Sequence, residues 1–114
     1  MGLCELVAIL TKAVAKVRPT HDPKSALLVH ILSAAPVYLD AGRLDAWDQA
    51  YTYARGNEPA SAEIELLDMI FDLGSYNLYG AFDAAGTMAE YSRLVQNLER
   101  SGVPTPVVSE LSVW

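Results

Sequence analysis

Three acidic residues at helical spacing are the closest approach in this chain to a reactive cluster. Glu65, Asp68 and Asp72 fall at i, i+3 and i+7, so a helix places the three carboxylates on one face. Such a face could hold a divalent cation or supply paired carboxylates for acid–base chemistry. A di-iron helical bundle also requires histidines, and none stands with them. A solvated acidic face is therefore favoured, and a ligand- or metal-binding helical bundle remains as an alternative.

The sequence offers few other reactive side chains. Cys4, the single cysteine, has no sequence neighbour that would lower the pKa of its thiol, which favours a buried and unreactive group. His30 lies in an apolar stretch and is expected to be packed or interfacial, whereas His21 stands beside a helix start and is expected to be exposed. Phosphate loops, nucleophile elbows and zinc-type clusters are absent from the sequence. We expect no enzymatic activity, cofactor or metal.

Charge is concentrated in the middle of the chain. The 114 residues carry a net charge of −6, and residues 40–90 contain ten acids against two bases, Arg43 and Arg55. Nucleic-acid binding depends on lysine and arginine, so this segment would repel a phosphate backbone. The pattern leaves two interpretations: a surface that aids solubility, or an acidic face that binds a basic protein.

Aromatic residues accompany the acids, and their polar tips suit either the rim of a core or a protein interface. The aromatic residues with polar tips in residues 40–90 are Trp47, Tyr51, Tyr53, Tyr76 and Tyr79. We expect an acidic and aromatic surface to contact the partner. The candidate partner-binding residues are Asp45, Asp48, Glu65, Asp68, Asp72, Tyr53, Tyr76 and Trp114.

The elements that must position these side chains are helices. Apolar residues recur at helical spacing over 3–17, which predicts a first helix that ends before Pro19. Asp22 followed by Pro23 is an N-cap followed by proline at the first helical position, so a second helix starts there. Pro36 must kink or end that helix.

A third helix is predicted directly after Gly42, which closes the preceding element as a C-cap. The apolar residues of this helix share one face, and its polar residues lie elsewhere. The core stripe is Leu44, Trp47, Tyr51 and Ala54, while Asp45, Asp48, Thr52 and Arg55 face away. The sequence GNEP at 56–59 then ends the helix.

Helical spacing resumes at Ser61 and continues toward Phe82. Glycine disfavours helix, so an interruption is predicted near Gly74 or Gly80, which gives one long helix or two.

The last helix is predicted from a capping box, Thr87 with Glu90, directly after Gly86. It ends at Gly102. The apolar tail, 103–114, contains two prolines that favour an extended start, and it should pack on this domain or on a neighbour.

These elements predict a single all-α domain over 1–114, with about five helices in antiparallel hairpins. The hairpins span about 23–56 and 61–101, and they form either a short α-solenoid-like array or an orthogonal bundle. No apolar stretch reaches the length of a transmembrane helix. The lone cysteine suits a reducing, intracellular compartment.

The chain also contains a weak internal echo. DAGRLDAW at 40–47 reappears as AAGTMAEY at 84–91, an offset of 44 residues. The offset carries Leu44 onto Met88 and Trp47 onto Tyr91, so the core stripes of the third and last helices superimpose. It predicts two hairpin turns, one before each of these helices, as in a helical repeat.

With this echo the chain resembles the helical-hairpin repeat superfamily of tetratricopeptide and pentatricopeptide proteins, most clearly over 73–108. SYNLYGAFDAAGTMAEYSRLVQNLERSGVPTPVV is similar to a pentatricopeptide unit, with AG at the turn and SGVP after the second helix. The earlier copy is similar to a tetratricopeptide unit, with Gly42, Tyr51, Ala54 and Pro59 at that family's spacing. Pentatricopeptide proteins read an RNA base with two residues, whose nearest counterparts here are Tyr76 or Asn77 and Pro106. Proline offers no side-chain hydrogen bond, so base reading is not carried over.

The sequence thus predicts a non-enzymatic helical module that binds a basic protein surface. It would act as a subunit of a larger assembly or as a small inhibitor, and it could form homo- or hetero-oligomers. The alternative is an organellar pentatricopeptide-like RNA-binding protein, which would place the chain in an organelle rather than the cytoplasm.

Overall fold

A computed structural model describes residues 1–19, 22–112 and 114, and the described residues form six α-helices. The helices are α1 (Leu3–Val17), α2 (Pro23–Ser33), α3 (Ala35–Asp40), α4 (Leu44–Arg55), α5 (Ala62–Leu78) and α6 (Ala84–Arg100). The described part of the chain contains no strand, only an isolated parallel bridge between Gly2 and Ser112. The all-α prediction is confirmed. Six helices replace about five because the chain breaks at Ala34, directly before α3 and its Pro36.

Side-chain caps fix two helix starts, and the first of them, Asp22, was predicted as a cap. Asp22 accepts a hydrogen bond from the backbone N–H of Lys24 at 3.3 Å, and Pro23 begins α2. Ser61 accepts one from the backbone N–H of Ile64, also at 3.3 Å, and α5 follows. Each cap satisfies one of the amide groups that the first helical turn leaves without a partner.

α5 runs through Gly74 without a break and ends before Gly80, which adopts a φ of 70° in the connection to α6. The predicted interruption is therefore at Gly80 alone. At Gly74 the need for glycine comes from packing, because a Cβ would lie 2.7 Å from Cη2 of Trp47 on α4. This contact brings the backbone of α5 directly against the indole.

α6 begins one turn earlier than its predicted capping box. Its N-cap is Asp83, whose Oδ1 accepts a hydrogen bond from the N–H of Gly86 at 2.7 Å. Thr87 is buried instead, and its hydroxyl lies 2.7 Å from Oδ1 of Asn77 on α5. The prediction of a capping box at Thr87 and Glu90 is wrong, because two N-cap residues stand four positions apart and the upstream one caps the helix.

The echo does not align equivalent positions of the two helices. Gly42 lies in the turn before α4 with a φ of 68°, whereas Gly86 lies in the first turn of α6. Leu44, the first residue of α4, maps by the offset onto Met88, but α6 begins at Ala84. The hairpin turn predicted at Gly86 lies instead in the α5–α6 connection.

The helices pack as a closed bundle. α1 contacts α2, α3 and α5, α4 contacts the same three helices, and α6 contacts α5. The contact between α1 and α5 joins helices that are far apart in the sequence, and it closes the bundle. Hairpins that contacted only their neighbours in the sequence would build an open solenoid. Of the two predicted arrangements, these contacts match a bundle rather than a short α-solenoid-like array.

The predicted core stripe of α4 faces the interior. Trp47 and Tyr51 are buried, and Leu44 and Ala54 are half-buried. The indole N–H of Trp47 donates to the carbonyl oxygen of Ile31 at 3.1 Å, which anchors α4 to α2. Trp47 and Tyr51, the two aromatic residues of the stripe, therefore lie in the core of the domain.

The tail packs on this domain, as predicted. Val103 is buried, and the hydroxyl of Tyr91 donates to the carbonyl oxygen of Pro106 at 2.8 Å. Further along, the N–H of Ser112 donates to the carbonyl oxygen of Met1 at 3.0 Å. The tail thus runs along α6 and returns to the N-terminus.

Candidate functional site

Cations from elsewhere in the chain pair with two of the acids of the central segment. Arg18 lies 3.8 Å from Glu63, and Lys24 lies 3.2 Å from Glu58. Both cations precede the acidic segment, so its charge balance in the sequence overstates the acidity of the folded surface. Ion pairs at this level of exposure contribute little stability, and these two offset only two of the ten acidic charges of residues 40–90.

Asp48 is an internal group rather than a surface carboxylate. It is buried and accepts hydrogen bonds from the hydroxyls of Ser75, at 2.8 Å, and Tyr79, at 2.7 Å. The second bond raises the pKa of Tyr79. The prediction that Asp48 faces away from the core is wrong, because α5 packs on that flank of α4. Its carboxylate joins α4 to the C-terminal end of α5.

Asp68 joins the other end of the same two helices. It accepts a hydrogen bond from the hydroxyl of Tyr51 at 2.6 Å, and both of its oxygens lie 3.0 Å from Nε of Arg55. Burial and the bond to Asp68 raise the pKa of Tyr51 well above its usual value, so the phenol remains a donor. A carboxylate with three short contacts of this kind is satisfied within the fold.

Asp72, one helical turn further along α5, has no hydrogen bond or ion pair to any described residue. It is half-buried, and burial together with the nearby charge of Asp68 raises the pKa of its carboxyl. Removing a carboxylate from water without supplying a partner is unfavourable. Among the acids of α5, Asp72 is therefore the half-buried one that has no partner in the described part of the chain.

Asp72 lies on the floor of a groove along α5. On one side a cavity of about 330 Å³ is bordered by Thr52 and Arg55 of α4. On the other side a cavity of about 230 Å³ is bordered by Arg93 and Asn97 of α6, and Asp72 lines both cavities. We call this surface the α5 groove. It comprises the floor residues Asp68, Asp72 and Tyr76 and the wall residues Thr52, Arg55, Glu90, Arg93 and Asn97.

The α5 groove has a negative centre between two neutralised walls. Arg55 pairs with Asp68 and Arg93 pairs with Glu90, so both guanidinium groups contact carboxylates other than Asp72. Tyr76 is 43% exposed one turn beyond Asp72. The arrangement suits a cation that meets the carboxylate and an aromatic ring at once.

Three of the predicted partner-binding residues, Asp68, Asp72 and Tyr76, meet in the α5 groove. The other five lie elsewhere. Asp45 is exposed beside Arg43, Asp48 is buried, Glu65 is exposed one turn before Asp68, Tyr53 projects from the outer surface of α4, and Trp114 is half-buried against the core.

The wall residues were absent from the sequence-based set. Arg55 was assigned to the outward face of α4, and Arg93 and Asn97 lie on α6, outside the acidic segment. The antiparallel pairing of α5 with α6 was the signal that could have placed the last two beside the α5 face.

The described lining of the groove contains no histidine, cysteine or serine. Elsewhere, Cys4 is buried as predicted, and burial followed by the charge of Asp40 raises the pKa of its thiol to about 11. His30 is exposed, so of the two expectations, packed or interfacial, it is not packed within this chain, and His21 lies outside the described residues. Among the described side chains no group of three or more histidines, cysteines or acids could hold a metal ion.

Two of the three positions related to RNA base reading, Asn77 and Pro106, form hydrogen bonds within the fold. The Asn77 amide donates to the carbonyl oxygen of Leu73 at 2.8 Å and meets Thr87, and the Pro106 carbonyl accepts from Tyr91. Comparison with known proteins assigns no family: no protein-family model, no curated protein and no solved structure matches the chain. None of the described helices is long and apolar enough to cross a membrane.

Proposed function

We propose that the protein is a non-enzymatic helical interaction module that binds a basic segment of another protein in the α5 groove. It would serve as a subunit of a larger assembly or as a small inhibitor. The observation that carries the proposal is Asp72, a half-buried carboxylate with no partner among the described residues. A lysine or arginine from outside would satisfy it and offset the unfavourable burial of its charge.

The groove favours an arginine or lysine side chain over a small ion. Asp72 is a single carboxylate, and divalent cations need several oxygen ligands. Asp72 and Tyr76 are one turn apart, so a guanidinium could donate to the carboxylate while stacking on the ring. Asp68, Asp72 and Tyr76 span about 12 Å of helix, which matches about three to four residues of extended chain.

A protein partner fits the charge better than RNA. The chain carries a net charge of −6, and both arginines of the groove already pair with carboxylates. Binding of single-stranded RNA would need free cations along the phosphate backbone.

Peptide libraries with one fixed central residue test this proposal. The libraries are identical except for arginine, lysine or glutamine at the fixed position, and fluorescence anisotropy measures binding to the wild-type protein. We expect the arginine and lysine libraries to bind the wild type more tightly than the glutamine library does. Asp72→Asn should lower the affinity for the arginine library by about tenfold.

Asp40→Asn is the matched control, because it removes the same charge from an exposed aspartate at the end of α3. It should bind the arginine library as the wild type does. Equal binding of the arginine and glutamine libraries would overturn the proposal, and so would equal losses for Asp72→Asn and Asp40→Asn. As a second readout, N-acetyl-arginine amide should lower the pKa of Asp72 measured by carboxyl NMR shifts.

A further inference from the structure

The two cavities of the α5 groove differ in how firmly each one holds an arginine of the chain itself. In the larger cavity, the side chain of Arg55 is only 18% exposed, and its Nε lies 3.0 Å from both carboxylate oxygens of Asp68. Its Nη1 also donates to the carbonyl oxygen of Glu58 at 2.7 Å. A second cation in this cavity would therefore meet a like charge that three short contacts hold in place.

The arginine beside the smaller cavity is held loosely. The side chain of Arg93 is 70% exposed, and among the described residues its guanidinium pairs only with Glu90, one turn earlier on α6. An exposed ion pair within one helix contributes little to stability. Arg93 can therefore leave Glu90 for solvent at little cost, whereas Arg55 could leave Asp68 only by removing the cation from a half-buried carboxylate.

The smaller cavity brings acids of two helices together. Asp72 lines it from α5 and Glu90 lines it from α6, and these helices pack against each other. The side chain of Glu90 is only 26% exposed, so it is more enclosed than the arginine that pairs with it. The ring of Tyr76 belongs to the same lining, and the apolar part of the lining is Met69, Leu73 and Leu94. The cavity thus offers two carboxylates to the charged head of a long side chain and apolar surface to its stem.

We infer that the smaller cavity is an arginine-specific site, in which a guanidinium from the partner donates to both Asp72 and Glu90 and displaces Arg93 into solvent. This inference rests on the proposed function and adds to it the cavity, the second carboxylate and the choice of arginine over lysine. A guanidinium presents five donors in a rigid plane and stacks on an aromatic ring such as Tyr76. A lysine ammonium is a compact, strongly hydrated charge that gains less from two carboxylates and a ring.

Arg93 has a regulatory part in this arrangement. In the free protein it neutralises Glu90, so it competes within the chain for one of the two carboxylates that the partner needs. Removing Arg93 should therefore strengthen binding of the partner. The resident Arg55 has no such part, because it remains on Asp68 in the other cavity.

The peptide libraries test the choice of arginine when a fourth library, with asymmetric dimethylarginine at the fixed position, is added. The wild type should bind the arginine library about tenfold more tightly than the lysine library in fluorescence anisotropy. Methylation keeps the positive charge of arginine but blocks its paired hydrogen bonds. The dimethylarginine library should therefore bind no more tightly than the lysine library.

Glu90→Gln tests the second carboxylate. It should lower the affinity for the arginine library by about tenfold and the affinity for the lysine library by less, so that the preference for arginine shrinks. Glu99→Gln is the matched control, since Glu99 is an exposed glutamate about two and a half turns further along α6, on its opposite face. It removes the same charge from the same helix and should stay within about twofold of the wild type.

Arg93→Gln tests the competition within the chain. It should raise the affinity for the arginine library at least about threefold, because Glu90 is then free for the partner. Arg43→Gln is the matched control, since Arg43 is also exposed and paired with an acid, Asp45, but lines neither cavity of the groove. Equal gains from the two variants would assign the effect to net charge and overturn the inference.

The outcomes separate this inference from the proposed function. If Asp72→Asn weakens binding of the arginine library while Glu90→Gln does not, the proposed function stands and the two-carboxylate site is wrong. Equal affinities of the arginine, lysine and dimethylarginine libraries, all above glutamine, would likewise leave the proposed function and overturn the choice of arginine. If the charged libraries bind no better than glutamine, both proposals fall.

Discussion

The hydroxyl of Tyr51 lies 2.6 Å from Oδ1 of Asp68, across the contact between α4 and α5. Tyr51 is itself buried, so this bond holds a polar tip at the edge of the core. Arg55 approaches the same carboxylate from one turn further along α4. Asp68 is thereby fixed as a structural group, and the adjacent Asp72 is left to face the groove.

Tyr51→Phe should destabilise the fold by about 1–2 kcal/mol, because it removes a hydrogen bond to a charged acceptor. Urea denaturation measures the free energy of unfolding. Tyr53→Phe is the control, since the same hydroxyl is removed from a ring that is 92% exposed, and its effect should lie within about 0.5 kcal/mol. Equal effects of the two variants would contradict the role assigned to the Tyr51–Asp68 bond.

Asp72→Asn should stabilise the protein at neutral pH by less than about 1 kcal/mol. Burial and Asp68 raise the pKa of Asp72 in the folded state, so the folded chain binds this proton more tightly than the unfolded chain. Above the folded-state pKa of Asp72 the carboxylate is charged, and its burial disfavours folding. As the pH falls through that pKa the carboxyl becomes protonated, and this unfavourable contribution to stability is lost. Urea denaturation across this range should show the advantage of the variant shrinking toward low pH. A variant less stable than wild type at neutral pH would refute this account.

Cys4 should react slowly with iodoacetamide in the folded protein. The thiolate is the reactive form, and burial followed by the Asp40 charge raises the pKa of the thiol from 9.0 to about 11. At mildly alkaline pH the folded chain should be alkylated at least about a hundredfold more slowly than the chain unfolded in urea. Equal rates, followed by mass spectrometry, would show that the thiol is accessible.

The sequence was sufficient for most helices because their signals are local. Asp22 with Pro23 marks the start of α2, and the stripe through Trp47 and Tyr51 identifies the buried face of α4. Gly74 shows the limit of such signals. Its place inside α5 depends on the Trp47 ring across the helix contact, and no local propensity reports that contact.

The candidate site was less predictable because helical spacing does not show which helix covers which flank. Asp48, Asp68 and Asp72 are all acids of amphipathic helices. Only the packing of α4 on α5 buries Asp48, binds Asp68 to Tyr51 and leaves Asp72 in the groove. Their different roles are properties of the tertiary contacts.

The start of α6 gives a direct test of the cap that the sequence misplaced. Asp83→Ala should destabilise the fold by about 1 kcal/mol, because it removes the acceptor for the N–H of Gly86. Glu90→Gln should change stability by less than about 0.5 kcal/mol, since among the described residues Glu90 pairs only with the exposed Arg93 on the same helix. A capping box at Thr87 requires the opposite order, with Glu90 the sensitive position and Asp83 a neutral loop residue. Urea denaturation of the two variants beside the wild type distinguishes these arrangements.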